Sequence, residues 1–500
     1  MLKVHLIHCI AISSIISLPL CASADVDTSA SAPPVPTPAA KPAKKPEWTL
    51  TGSLRVREEL WDWFGTGTGK GHYNFTGEQL KLGALRATPA LDTMIELQQT
   101  GLFNLPKSST LAAPQGQLGL GASYYDASGN QQFGIALKQA FVKIKDPKNP
   151  ANFLKGGRFE FIDGTETVPA DPSIAYLKRE RIAHRLIGNF GFSHVGRSFD
   201  GLNYSSGRPN SNFTLFAGVP TEGVFDQKAN DEVSGVHVAY GALTSSGRSK
   251  SSPSDARLFG AYYEDTRNGV TKVDNRPAPA RTADKAGIRI ETVGGHYLRE
   301  VPVGKASVDT LLWGAYQTGN WGLQSHEAYA YAAEVGYQLP KVAWKPWLRA
   351  GYYEASGDGN ASDSKHGTFF PMLPTPRIYA RFPFYSESNL KDAFVQLILK
   401  PSAKLSTRLD VHKLALANSS DLWYGGGGAF QDKPNFGYAG RPSGGFGSLA
   451  TLVDLSLDYQ LRKTTTLTLY VAYADGGNVV QNSFPGKSAT YTYLEVTHKW

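Results

Sequence analysis

At 500 residues the chain is long enough for several domains, although a single large barrel also reaches this length. Charged residues make up only 19%, while 52 Gly, 30 Pro, 24 Tyr and 24 Phe favour β structure and exclude a coiled coil. The formal charge of +8 is spread without a dense Lys/Arg block, which speaks against a nucleic-acid partner; past the N-terminus no apolar run approaches the roughly 18 to 20 residues of a membrane-spanning helix.

The first predicted element is a signal peptide over residues 1–24. Lys3 supplies a positive start, Val4 to Leu20 is mostly apolar, and Ala22-Ser23-Ala24 has the small-x-small pattern of a cleavage site. Acylation of Cys21 is the competing reading, and the bulky Leu20 before it argues against that. Cys9 and Cys21 both fall inside this segment, so the rest of the chain holds no thiol and no disulfide. Residues 25–47 form a Pro/Ala-rich leader with Pro33, Pro34, Pro36, Pro38 and Pro42, unable to bury a core and expected to be disordered.

From 48 to 500 the chain reads as segments of about ten residues in period-two alternation. In the first, Arg55, Arg57 and Glu59 oppose Leu54, Val56 and Leu60. In Leu91 to Gly101, Asp92, Glu96, Gln98 and Thr100 oppose Leu91, Ile95 and Leu97. In Leu449 to Gln460, Asp454, Ser456 and Asp458 oppose Leu449, Val453, Leu455 and Leu457. Eighteen such segments run from 50–60 to 489–500, the sixth over 196–206. Brief turns such as Thr88-Pro89-Ala90, Pro401 to Lys404 and Arg462 to Thr465 alternate with long connections such as Leu102 to Phe133, Ile162 to Val195, Ser356 to Ser388 and Ala417 to Gly445. Short turns at one end and long loops at the other predict an all-β fold: a transmembrane antiparallel β-barrel of 18 strands with periplasmic turns and extracellular loops. The last strand sets Leu494, Val496 and Trp500 against Glu495, Thr497 and Lys499. A terminal strand ending on an aromatic residue is what outer-membrane barrels present to the barrel assembly machinery, so the expected setting is the outer membrane of a Gram-negative-type cell.

Motifs for catalysis are missing. Gly196-Arg197-Ser198-Phe199-Asp200 lacks the second glycine of G-x-S-x-G, the glycines from Gly65 to Gly71 miss the P-loop spacing, and His326-Glu327 has no second His four residues after the first. Asp126-x-Ser128-x-Asn130 and Asp358-x-Asn360-x-Ser362 have Ca²⁺-loop character, and such strings are more often Asx turns. The expectation is therefore no catalytic residue, no metal and no cofactor.

Several stretches resemble the alginate export family of outer-membrane porins: Gly157-Arg158-Phe159-Glu160, Arg185-Leu186-Ile187-Gly188 with Asn189 to Ser193, and above all Val195-Gly196-Arg197-Ser198-Phe199-Asp200-Gly201. Leu54 to Glu58, Phe370 to Thr375 and Asp421-Leu422-Trp423-Tyr424 add to it. The resemblance implies an 18-stranded barrel whose lumen carries Arg, Lys and a few carboxylates and passes an anionic uronate polysaccharide. Independently, inward Arg55, Arg57, Arg158 and Arg197, with Arg185 beside them, would give fixed positive charge that fits carboxylates bidentately. Asp200, Glu160 and Glu96 would order those arginines and keep any site from binding too tightly, since conduction requires release.

Two features bear on that expectation. The loop Leu102 to Phe133 is placed to fold inward as an extracellular gate, whereas the late periplasmic turn that plugs the family's bore corresponds to the short Arg462 to Thr465. Three readings follow: a passive channel for anionic polysaccharide or oligosaccharide, a general or uptake porin for small anionic solutes, and a secreted β-rich carbohydrate enzyme.

Overall fold

The computed structural model describes residues 47–500 apart from 248, 250, 433 and 434; the predicted signal peptide and nearly all of the leader lie outside the described residues. Strands with one apolar and one polar face satisfy every backbone group in a bilayer only by closing on themselves. Eighteen do so here: β1 (Trp48–Asp62), β2 (His72–Ala87), β3 (Leu91–Phe103), β4 (Phe133–Asp146), β5 (Asn149–Phe159), β6 (Phe199–Arg208), β7 (Ser211–Pro220), β8 (Val236–Ser246), β9 (Ser254–Asp265), β10 (Ile288–Val303), β11 (Ala306–Trp321), β12 (Gln324–Gln338), β13 (Trp347–Ala355), β14 (Leu390–Leu399), β15 (Leu405–Ala415), β16 (Ser448–Arg462), β17 (Thr465–Gly476) and β18 (Ser488–Lys499). Each pairs antiparallel with the next, and β18 returns to β1 with Leu54 opposite His498. At this seam the Trp500 indole lies 2.2 Å from where a Cβ on Gly52 would stand, so any side chain at position 52 would have to displace the ring.

The outer face is apolar, with Ile135, Leu202 and Leu258 exposed by 66%, 58% and 69% in the bare chain. Aromatic residues stand near both ends, Trp48, Tyr337, Trp344 and Trp500 at the turn end and Tyr316, Tyr329 and Tyr473 at the loop end, as girdles at a bilayer's two interfaces. Two bulges change the phase. Lys138 is skipped in the β3–β4 register and turns into the lumen. Leu449 is skipped in the β15–β16 register, and this residue, expected on the outer face, is fully buried.

Two strands stop short at the loop end, and the protein's own loops cover the edges they expose. Beyond the last β4–β5 pair, Ala140 with Arg158, the Asn230 side chain accepts from Leu137 N (2.8 Å) and donates to Ile135 O (3.0 Å). Above the end of β13, Lys365 and His366 pair in parallel with Ser325 and His326 of β12. The turn between β16 and β17 is short, with Arg462 opposite Thr465, so no plug arises from it. Replacing Leu202 by Arg places a charge on the lipid face near mid-strand and is expected to lower stability by about 2–4 kcal/mol, read as a reduced urea midpoint for the barrel folded in lipid vesicles.

Candidate functional site

Inside the barrel the connection of residues 160–198 folds into the bore. Asp163 accepts from Leu186 N (3.1 Å) and Ile187 N (3.0 Å), which draws the segment back on itself. Arg257 of β9 bridges Asp163 (3.4 Å) and Glu166 (3.2 Å), and Tyr240 donates to Glu166 at 2.6 Å. Burial opposes ionisation of Glu166, but Arg257 and Tyr240 outweigh it and hold its carboxyl below the usual range. Asp171 then caps the helix Pro172–Leu177 by accepting from Ser173 N and Ile174 N, with Pro172 at its first position. This helix reaches the turn end: Ser173 bonds Gln338 (3.2 Å), Lys178 pairs with Asp255 (2.9 Å), and Tyr176 packs on Trp347. The bore is thus narrowed by a connection from the extracellular side, while the periplasmic turn at the place of the family's plug stays short, as Arg462 to Thr465 implied.

The return limb crosses the centre of the barrel. Gly188 N donates to Leu373 O (2.8 Å) and Leu373 N to Leu186 O (2.9 Å), joining residues 160–198 to the second inserted connection, residues 356–389. Arg185 donates to Arg181 O (2.6 Å) and the Tyr379 hydroxyl (2.9 Å), with its guanidinium 4.7 Å from the Trp313 ring. His184, whose imidazole burial pushes down to about 4, stays neutral against Thr375.

Residues 191–197 end the limb in a cradle of donors from four consecutive strands. Arg55 donates to Gly191 O (2.6 Å) and Ser193 O (2.5 Å), and Arg57 to Phe192 O (3.0 Å). Gln79, Gln98 and Thr100 all donate to His194 O, Gln98 also to Val195 O (2.8 Å), and Lys138 to Arg197 O (3.2 Å). Gly196, at φ +66°, makes the turn that lets Arg197 N reach Asn189 O (2.7 Å).

The eight residues singled out from sequence therefore occupy different places. Arg55 and Arg57 face the lumen and hold the inserted loop, with Glu495 2.7 Å from Arg57. Glu96 faces the lumen and accepts from Gln139 (3.0 Å). Glu160, one residue past β5, pairs with Lys81 (3.3 Å) and Lys138 (3.4 Å). Arg185 and Arg197 are buried within the loops, and Arg197, expected on the sixth strand, precedes it and donates to Gly427 O (2.6 Å). Arg158 and Asp200 pair at 2.5 Å on the outer side of the wall, since Asp200 shares its parity with exposed Leu202 and Tyr204. The expectation that this pair lines the lumen is corrected: Phe159 and Phe199, beside them, turn inward to pack with Phe216. Arg158 also donates to Asn230 O (2.7 Å), clasping the loop that covers the β4 edge.

Sequence reasoning missed other lumenal cations. Lys143 and Lys155 stand directly opposite each other on β4 and β5, against Phe153 and Phe159 respectively. Arg377 and Arg381 come from the loop of residues 356–389. The Arg377 guanidinium lies 4.4 Å from the Phe192 ring, which Arg57 also contacts at 4.2 Å, and Arg381 donates to the Tyr493 hydroxyl (2.8 Å). Among the described residues no carboxylate lies within 4.0 Å of Lys143, Lys155, Arg377 or Arg381. Above them, residues 104–132 pack over the mouth, where the Tyr124 hydroxyl of the helix Leu120–Ser128 accepts from His194 N (2.9 Å). Arg441 ties Gln115 O and Gln117 O to the hairpin Leu422–Gly426 and Tyr438–Pro442. Of the two Ca²⁺-like strings, Asp126 accepts from Thr110 and Gln117, while Asp358 and Asn360 make successive Asx turns.

Gln98→Ala removes one of three donors from His194 O and the shorter of two from Val195 O, where Lys138 remains at 3.4 Å, at a cost of about 0.5–1.5 kcal/mol. The expected outcome is a looser loop, seen as larger current fluctuations in single-channel records with the barrel still folded.

Solved outer-membrane proteins share this architecture. OccK2 (OpdF) from Pseudomonas aeruginosa superimposes with a TM-score of 0.53 at 10% identity, covering 90% of this chain and 97% of that one. OccD3 (OpdP) from the same organism gives 0.53 at 10% identity, covering 91% of each. Its OpdK, solved with vanillate, gives 0.51 at 9% identity over 90% of this chain and 98% of that one. At such identities the likeness is one of fold. No curated protein matches the chain by sequence. The family model described as alginate export, however, matches residues 50–493, which span the barrel from its first strand to its last, and the chain belongs to that family of outer-membrane β-barrels.

Proposed function

We propose that the barrel is a channel for passive passage of anionic oligosaccharide or polysaccharide of the uronate class across the outer membrane. The observation that carries this reading is the set of lumenal cations without carboxylate partners, Lys143, Lys155, Arg377 and Arg381. A uronate chain repeats a carboxylate at every sugar, so it has a partner for each cation. Asp92, Glu160 and Glu495, each paired with a lumenal Lys or Arg, compete with the solute and favour release. The family match and the absence of any catalytic motif support a channel in place of an enzyme. The signal-peptide pattern of residues 1–24 fits export to the outer membrane.

A second reading, uptake of small anionic solutes, is favoured by one feature. The two inserted loops meet at Leu186, Gly188 and Leu373 and narrow the bore. OpdK, of the same fold, was solved with vanillate, a small carboxylate.

Reversal potentials in planar bilayers are expected to show anion preference. It should be larger at 0.1 M salt, where the Debye length is about 10 Å, than at 1 M, where it is about 3 Å. Arg377→Glu should reduce the preference, while Arg158→Glu, on the outer side, should leave it unchanged. Block by oligouronates but not by small carboxylates selects the first reading, the reverse selects the second, and cation preference in the wild-type channel contradicts both.

A further inference from the structure

A separate cluster lies on the lumen wall where β14, β15 and β16 run side by side. In the register Gln396, Asp410 and Asp454 stand directly opposite one another, and His412 is two residues further along β15 on the same face. All four are buried, Asp410 and His412 completely. One ligand atom from each of Asp410, His412 and Asp454 lies within 4.8 Å of the others.

The hydrogen bonds leave these groups electron-rich and unpartnered. His412 Nδ1 is 3.0 Å from both carboxylate oxygens of Asp392, so Nδ1 donates to that carboxylate and Nε2 is the ring nitrogen turned toward Asp454. That Nε2 makes no hydrogen bond and lies 3.9 Å from Asp454 Oδ2. Neither oxygen of Asp454 or Asp410 has a hydrogen-bond partner, nor has either amide atom of Gln396. Arg408 is the only guanidinium within 4.0 Å among the described residues, 2.7 Å from Asp410 Oδ2 and 3.9 Å from Asp454 Oδ1. The ligand atoms of Asp410, Asp454 and His412 thus converge with one guanidinium beside them, and a dication would give these buried atoms the partner that no hydrogen bond supplies.

We propose that Asp410, Asp454 and His412 Nε2 form a divalent metal site of the Zn²⁺ class, with Gln396 beside them and Asp392 orienting the imidazole. Two carboxylates and one imidazole suit Zn²⁺, which also takes a fourth ligand from solvent or an amide oxygen. Ca²⁺ takes six to eight oxygens, which this mixed donor set does not offer. The ion would tie β15 to β16 and add positive charge to the wall.

The test uses the full barrel folded in detergent without an affinity tag, stripped with chelator, titrated with Zn²⁺ and assayed by calorimetry and elemental analysis. Expected is one tight Zn²⁺ per barrel that raises the thermal unfolding temperature. Asp454→Asn and His412→Gln should each abolish it, and Asp392→Asn should weaken it roughly 10- to 100-fold. Heat-modifiable gel mobility checks that each variant is folded, and Gln396→Ala, which removes no charge, serves if the others misfold and should also weaken binding. Failure of the wild-type barrel to bind Zn²⁺, equal binding by the folded variants, or uptake of Ca²⁺ in its place would overturn the assignment.

Discussion

Backbone that leaves water must find its hydrogen bonds within the protein, and this requirement governs both the wall and the contents of the barrel. The wall meets it with eighteen strands that close between β1 and β18. The inserted loop cannot pair along its whole length, so its carbonyls are met by side chains from the wall: Arg55, Arg57, Gln79, Gln98, Thr100 and Lys138. The same logic covers the short edges of β4 and β12, which are finished by Asn230 and by Lys365 with His366.

This sorts the lumenal charges into two groups. Those that hold the loop are bound to backbone carbonyls or to carboxylates, and they set the width of the passage. The others, Arg377 and Arg381 from the second inserted loop and Lys143 and Lys155 from the wall, have no carboxylate within 4.0 Å among the described residues, and on the proposed reading these are the ones that meet a passing anion. The loop and the channel chemistry are therefore parts of one arrangement, because the groups that place the loop also decide which cations remain.

The barrel was legible in the sequence because the bilayer demands an apolar side chain at every outward position, and that demand repeats every second residue. Arg55, Arg57 and Glu96 were read correctly as inward for this reason. The phase failed where the lumen itself is apolar. Phe159 and Phe199 pack inside against Phe216, so alternation around them put Arg158 and Asp200 on the wrong side. It failed again at Leu449, where a bulge inserts one residue. The loop arginines carried no signal, since Arg377 and Arg381 are placed by the path of a connection that has no period. The first inserted connection did carry one in its Val195 to Gly201 motif, where Gly196 at positive φ makes the turn.

The central claim is that Arg377 lies in the ion path whereas Arg158 lies outside it. Cys9 and Cys21, both within the predicted signal peptide, are the only cysteines in the sequence, so in a barrel prepared without residues 1–24 a single introduced thiol can be labelled without background. Single-channel current recorded while a charged thiol reagent is added to Arg377→Cys and to Arg158→Cys tests this directly. The account requires a stepwise fall in current for the first and no change for the second; an unaltered current after complete labelling at position 377 would contradict it.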